Sequence, residues 1–198
     1  VTNYGRETLS LNLIEHGISL KKRRIFLSGE LEADNADTVM RALIRMADIS
    51  ADPIDLIVNS PGGELYDAFA IYDIMKTVPN IIRTLAIGQC QSAVPLLVAA
   101  GSPGFRYSFP NCHFMVHDIW IEGAPDATVE AAAKELRHTK QLRTKYLELM
   151  TANTKIGMVE WKKICRKPGD MFFGPNEALK YGIIDNIATK DVWNGIKT

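Results

Sequence analysis

Ser92, His117 and a choice of aspartates could together carry out nucleophilic acyl transfer in this chain. Ser92 follows an apolar run, Ile81–Ile87, and the segment Gly88-Gln89-Cys90-Gln91, and it precedes an apolar stretch to Ala100. A serine where a strand turns sharply into a helix is exposed while its neighbours stay buried. The helix start also offers unpaired N–H groups and a positive dipole end to a developing oxyanion. The competing role for such a serine is a plain helix N-cap. The usual G-x-S-x-G spelling is absent, and Pro95 fits only if the helix begins close to Ser92.

A base must serve that serine. His117 ends a stretch whose alternation puts His113, Met115 and His117 on one face and Phe114, Val116 and Asp118 on the other. Taken singly, such a histidine also fits a hydrogen-bonded core residue. A carboxylate usually orients the base. Asp118 points the wrong way, Asp170 in the Lys167-Pro168-Gly169-Asp170 loop is better placed, and Asp185 and Asp73 compete on residue type. His138 stands between Arg137 and Lys140 and reads as a solvated surface group. Cys90 could attack a carbonyl, but a buried thiol is the commoner state at a strand end. Ser60-Pro61-Gly62-Gly63, directly after an apolar strand, is either a tight turn or a loop that aims backbone N–H groups at an oxyanion.

The elements that must position these groups alternate between strand and helix. Strands are expected at Arg24–Leu27, Ile54–Asn59, Ile81–Ile87, Arg106–Phe109 and His113–Asp118, with a further one at Ile119–Glu122. Helices are expected from Asp34 as N-cap through Ala47, from Leu65 to Met75, and from about Ala127 to Thr151 with Asp126 as cap. Short helices follow near Met158–Cys165 and between Pro175 and Gly182. The helix at 127–151 is about twice the usual length, so it either crosses the domain or packs partly on another subunit. Its apolar stripe breaks at Thr139 and Lys140. Residues 1–20 stand apart, with Leu9, Leu11 and Leu13 alternating with polar residues. The fold class is α/β.

Composition narrows the function classes. The chain has 198 residues, 46% of them hydrophobic, enough for one domain with a sizeable core. Lys+Arg 23 balance Asp+Glu 23, which gives no electrostatic reason to expect nucleic acid or an anionic membrane as partner. No run is long and apolar enough to span a bilayer. The three scattered cysteines suit buried thiols in a reducing, cytoplasmic setting. HExxH, CxxC, GxGxxG and P-loop patterns are all missing, so neither a metal nor a nucleotide site is expected.

Taken in order, the motifs resemble the proteolytic subunits of the Clp proteases, the ClpP family. The matching blocks are Ile57-Val58-Asn59-Ser60-Pro61-Gly62-Gly63 with Ala70-Ile71-Tyr72-Asp73, and Gly88-Gln89-x-x-Ser92 with Leu96-Leu97-x-Ala99-Ala100-Gly101. Met115-Val116-His117 follows, then Asp170 with Pro175-x-Glu177-Ala178 and Tyr181-Gly182-Ile183-Ile184-Asp185. The resemblance spans about residues 23–188. It implies a ClpP/crotonase-type spiral of ββα units, with a single catalytic domain over 21–198 and an axial N-terminal segment over 1–20. A handle at about 119–151 would join two heptameric rings into a tetradecamer. Ser92 would be the nucleophile, His117 the base and Asp170 its orienting residue, with the N–H groups of Gly63 and Ala93 as oxyanion hole. Gly62, Glu64, Leu65, Ile119, Trp120 and Ile121 would flank the substrate. An AAA+ unfoldase would spend the ATP and feed unfolded polypeptides, and this chain would bind no cofactor. Ala93, Val94 and Pro95 depart from the family's usual residues, as does Ile119–Pro125. The alternatives are a catalytically silent ring subunit or a crotonase-like acyl-CoA enzyme. A Ser–Lys protease would need a lysine near Ser92, and none occurs between Lys76 and Lys134.

Overall fold

The computed structural model describes residues 17–119, 128–166 and 169–190. Among them are eight strands and six helices, and the strand–helix alternation expected over most of the chain is present. They are β1 (Ile18–Ser19), β2 (Arg24–Ser28), α1 (Ala33–Ile49), β3 (Ile54–Ser60), α2 (Leu65–Thr77) and β4 (Ile82–Gln91). Then follow α3 (Pro95–Ala99), β5 (Arg106–Ser108), β6 (His113–Val116), α4 (Val129–Asn153), α5 (Met158–Arg166), β7 (Met171–Phe173), α6 (Pro175–Tyr181) and β8 (Asn186–Ile187). The main path of the sheet runs β1-β2-β3-β4-β5-β8, parallel except for β1 on β2. Each parallel connection carries a helix across one face, and the resulting core holds Leu43, Met46, Leu56, Ile71, Leu97 and Trp161, all buried. The fold is α/β, as expected. Residues 18–19 pair with β2 and so belong to this sheet, although the sequence groups them with the N-terminal segment.

β4 departs most from expectation, and its departure builds the site. It continues past Ile87 to Gln91 because it changes partner on the way. Thr84–Ala86 pair with β5, whereas Gln89–Gln91 pair with β6. The turn between the two halves is Gly88, at φ 59°, where a Cβ would sit 2.6 Å from Asn59 Oδ1. Asn59 Oδ1 also accepts from Gln89 N–H at 3.2 Å, which bridges the register shift between β3 and β4. The strand therefore stays beside β3 while its end opens a branch of the same sheet with β6 and β7.

Polar residues stitch the sheet. Asp55, buried on β3, accepts from Arg83 Nε at 2.6 Å and from Arg24 Nε at 3.3 Å, its two register neighbours. Arg106, at the start of β5, meets Asp185 at 2.5 Å and also donates to the carbonyls of Ala99 and Asn153. Burial on its own would raise the Asp185 pKa. The hydrogen bond and charge of Arg106, with the amides of Arg106 and Gly104, outweigh it and hold the carboxyl below its ordinary value. A carboxyl lowered by folding stabilises the folded state above its unfolded pKa and loses that contribution as pH falls through the folded one. Asp185→Asn should lower stability at neutral pH by about 2–3 kcal/mol, because Arg106 is left without its charge partner. Below about pH 4 the gap between variant and wild type should narrow. Urea unfolding at both pH values measures this, and an equal gap at both would refute it.

Helix starts show where single-residue signals mislead. α1 begins after Glu32, whose N–H donates to Asn35 Oδ1 at 3.1 Å, so Asp34 lies in the first turn and is not the cap. α4 is capped by Thr128, whose side chain accepts from Ala131 N–H at 3.2 Å, and Asp126 lies outside the described residues. α6 starts at Pro175 and stops at Gly182, as the bracketing residues predict. α4 buries Tyr146, Leu147 and Met150 in its last third only, while Val129 and Leu136 stay exposed. It therefore does not cross the domain: the first half is mostly exposed, and the break at Thr139–Lys140 falls where burial begins to rise. His138, exposed as expected, meets the Tyr66 hydroxyl on α2 through Nε2.

Candidate active site

Three neighbouring strand ends converge. Ser92 directly follows β4, His117 directly follows β6, and Asp170 directly precedes β7. β4 and β6 run parallel with Gln91 opposite Met115, and Ser92 N–H extends that ladder to Met115 O at 2.9 Å. β6 and β7 run antiparallel with Val116 opposite Met171. The ladder ends there; continued by one residue, its register would set His117 against Asp170, since facing residues of an antiparallel pair are nearest cross-strand neighbours. Sequence separations of 25 and 53 residues are thus bridged by the ends of three adjacent strands.

The closest contact at this edge is polar. Ser92 Oγ lies 2.7 Å from His117 Nε2, within reach for direct proton transfer. Ser92 is not a helix cap: the first residue before α3 is Val94, with Pro95 in the opening position. The serine instead holds φ 58°, a left-handed conformation that costs a residue with a side chain about 1–2 kcal/mol. Such strain persists where the surroundings over-determine it. Here the Ser92 N–H is taken by Met115 O, its carbonyl accepts from Tyr146 Oη at 3.0 Å, and its hydroxyl meets His117. α3 has five residues only, so oxyanion stabilisation would fall to individual amides more than to a helix dipole.

The Ser-Pro-Gly-Gly loop presses on Ser92. β3 brings Ser60 opposite Cys90, and Ser60 Oγ accepts from Gly62 N–H at 3.2 Å. Leu31 grips the loop from outside: its N–H donates to Gly62 O at 2.6 Å, and its carbonyl accepts from Glu64 N–H at 2.8 Å. Gly62 has φ 104°, and a Cβ there would lie 2.4 Å from Ser92 Cβ and 3.0 Å from Ser92 Oγ. Nothing but glycine fits. Among the described residues the amides of Gly63 and Ala93 donate to no backbone carbonyl outside the helices and strands. Gly62→Ala should therefore displace the hydroxyl and lower kcat at least a hundredfold, the scale of a misplaced reacting group. Steady-state kinetics beside a thermal melt measures this, and a fully active variant would refute it.

The remaining candidates sort by geometry. Asp118 turns from His117 to Arg143 on α4, with 2.7 Å between Oδ1 and Nε, and accepts its neighbour Ile119 N–H. Asp185 is committed to Arg106, and Asp73 is exposed on α2. Cys90 is fully buried, and burial raises its thiol pKa well above the ordinary value, which disfavours a nucleophilic thiolate. Cys112 and Cys165 are pushed up by burial to about 11. Asp170 is exposed, directly before β7. Glu64 is exposed and Leu65 half-buried beside the glycine loop, and Ile119 follows two residues after His117. Trp120 and Ile121 lie outside the described residues, as does most of the strand expected at 119–122. Among the described residues no group of three His, Cys, Asp or Glu could hold a metal ion. No described helix is long and apolar enough to cross a membrane. Tyr146, Arg143, Asn59 and Leu31 escaped the sequence reading. Tyr146 falls at an apolar spacing on α4 with Leu142 and Leu149, which masks the need of a buried tyrosine hydroxyl for a partner.

Comparison with known proteins agrees with this architecture. The Clp protease family model matches residues 12–191. An ATP-dependent Clp protease proteolytic subunit of Borreliella afzelii is 37% identical over 176 residues, covering 87% of this chain and 86% of that protein. Proteolytic subunit 1 of Borreliella burgdorferi is 36% identical with 87% of each chain covered. The proteolytic subunit of Carsonella ruddii is 32% identical over 172 residues, with 86% of each covered.

Proposed function

This chain belongs to the Clp protease family and is a Clp-type serine peptidase, and from that premise we propose that Ser92 attacks the scissile carbonyl. The 2.7 Å contact between Ser92 Oγ and His117 Nε2 carries the reading. His117 takes the hydroxyl proton as the C–O bond forms and later gives it to the leaving amine. Asp170, across the ladder, accepts from the far ring nitrogen and so keeps Nε2 free to act as base. The N–H groups of Gly63 and Ala93 receive the negative oxygen of the tetrahedral intermediate. Water then repeats the sequence on the acyl-enzyme, with His117 again as base. These steps need no metal or organic cofactor bound by this chain.

The substrate is an unfolded polypeptide. Glu64 and Leu65 beside Gly62, and the segment from Ile119 through Trp120 and Ile121, flank it as strands, and main-chain pairing suits broad sequence tolerance. The exposed half of α4 is the handle, and through it heptameric rings of this chain pair as a tetradecamer. An AAA+ unfoldase supplies substrate and spends the ATP. The buried free thiols fit a reducing cytoplasmic compartment. A fluorophosphonate probe followed by peptide mass mapping tests the assignment. Modification confined to the Ser92 peptide is expected, and a native particle that reacts elsewhere or not at all refutes it. Native mass of the same sample tests the assembly.

A further inference from the structure

Tyr146 reaches from α4 to the backbone of Ser92, and the group it touches is one end of a functional peptide unit. Its hydroxyl donates to Ser92 O at 3.0 Å. That carbonyl and the Ala93 N–H belong to the same planar amide, so fixing the direction of one fixes the direction of the other. A hydrogen bond accepted by the carbonyl also polarises the amide and strengthens its N–H as a donor. We propose that Tyr146 is a positioning residue of the oxyanion hole, aiming and polarising the Ala93 N–H from behind. The inference rests on the proposed roles of Ser92 and of the Ala93 amide.

Several observations support it. Ser92 is strained at φ 58°, so its peptide plane needs external restraint to stay where it is. Tyr146 is itself rigidly placed, buried beside Leu147 and Met150 in the docked third of α4. Burial raises its phenol pKa well above the ordinary value, so the hydroxyl keeps its proton and stays a donor. One turn earlier on the same helix, Arg143 pairs with Asp118, the neighbour of His117. This contact is ionic, since Arg143 Nε and Nη2 lack a partner of hydrogen-bond geometry among the described residues. The docked end of α4 therefore touches both the Ser92 carbonyl after β4 and the Asp118 side chain after β6.

The experiment compares wild type, Tyr146→Phe and Ser92→Ala as assembled particles, each normalised by native mass. Phenylalanine keeps the ring and its packing and removes the donor alone. Tyr146→Phe should lower kcat about five- to tenfold, one neutral hydrogen bond's worth, with KM within twofold of wild type. Affinity for a peptide boronate, which mimics the tetrahedral adduct, should fall in proportion to kcat. A merely structural role would lower the melting temperature and leave that proportionality absent. If Tyr146→Phe fails to assemble, a fluorinated tyrosine at 146, a stronger donor of nearly the same shape, should raise kcat. Unchanged kcat in either variant, with Ser92→Ala inactive, overturns this inference and leaves the proposed function standing. Activity that survives in Ser92→Ala overturns both.

Discussion

Ser92→Ala should reduce peptide hydrolysis by about four to six orders of magnitude while leaving the fold and its melting temperature nearly unchanged. The size follows from what is removed. Without Oγ there is no acyl-enzyme, and His117 has no hydroxyl to deprotonate at 2.7 Å. The Gly63 and Ala93 amides and the bound strand remain, so a residue of catalysis over free water should survive. The small effect on stability follows from how little else the hydroxyl does. The Ser92 backbone contacts to Met115 and Tyr146 are untouched, and alanine meets the same conformational cost at φ 58° as serine. Single-turnover rates on a fluorogenic peptide and a thermal melt of the same preparation measure the two quantities. A rate within tenfold of wild type would remove Ser92 from the mechanism and return Cys90 and the crotonase-like alternative to contention.

What the sequence made legible depended on how far each element is specified locally. β3, α2 and α6 were readable because a run of apolar residues or a bracketing proline and glycine is enough to define them. β7 and β8, three and two residues long, carry no periodicity of their own. They exist because β6 and β5 offer them unpaired backbone groups, and only the pairing makes them strands. The true end of β4 was hidden for a related reason. Gly88 reads as a strand terminator, yet in the fold it is the kink at which β4 exchanges β5 for β6. Asn59 secures that kink from another strand, which nothing near Gly88 announces. Among the site residues, Ser92, His117 and the glycine loop were identifiable by type and by their places at element ends. The part played by Tyr146 was not, since its ring fits the apolar stripe of α4 and its hydroxyl finds a partner 54 residues back in the chain.

Asp170 is the residue on which sequence motif and strand register make the same demand, and Asp170→Asn should lower kcat about a thousandfold to ten-thousandfold with KM little changed. The ladder β6–β7 sets Phe114 opposite Phe173, Met115 opposite Phe172 and Val116 opposite Met171, and one further step in the same register would bring the aspartate to face His117. From that rung its carboxylate can hold the imidazole proton on the far nitrogen and stabilise the imidazolium that forms as Ser92 attacks. An asparagine has the same shape and can present an N–H instead of an acceptor. It then favours the wrong tautomer, with the proton on Nε2, where the serine needs a lone pair. The geometry survives and the chemistry fails, so the loss belongs in kcat. Fluorophosphonate labelling should slow by a similar factor, because that reaction also needs an activated hydroxyl. Raising the pH should recover part of the rate as hydroxide replaces the base, and this separates a tautomer defect from a misfolded loop. The measurement is a pH series of kcat and KM on wild type and Asp170→Asn. A kcat within threefold of wild type would show that another group orients His117, and the exposed Asp170 would then be a surface residue of the loop before β7.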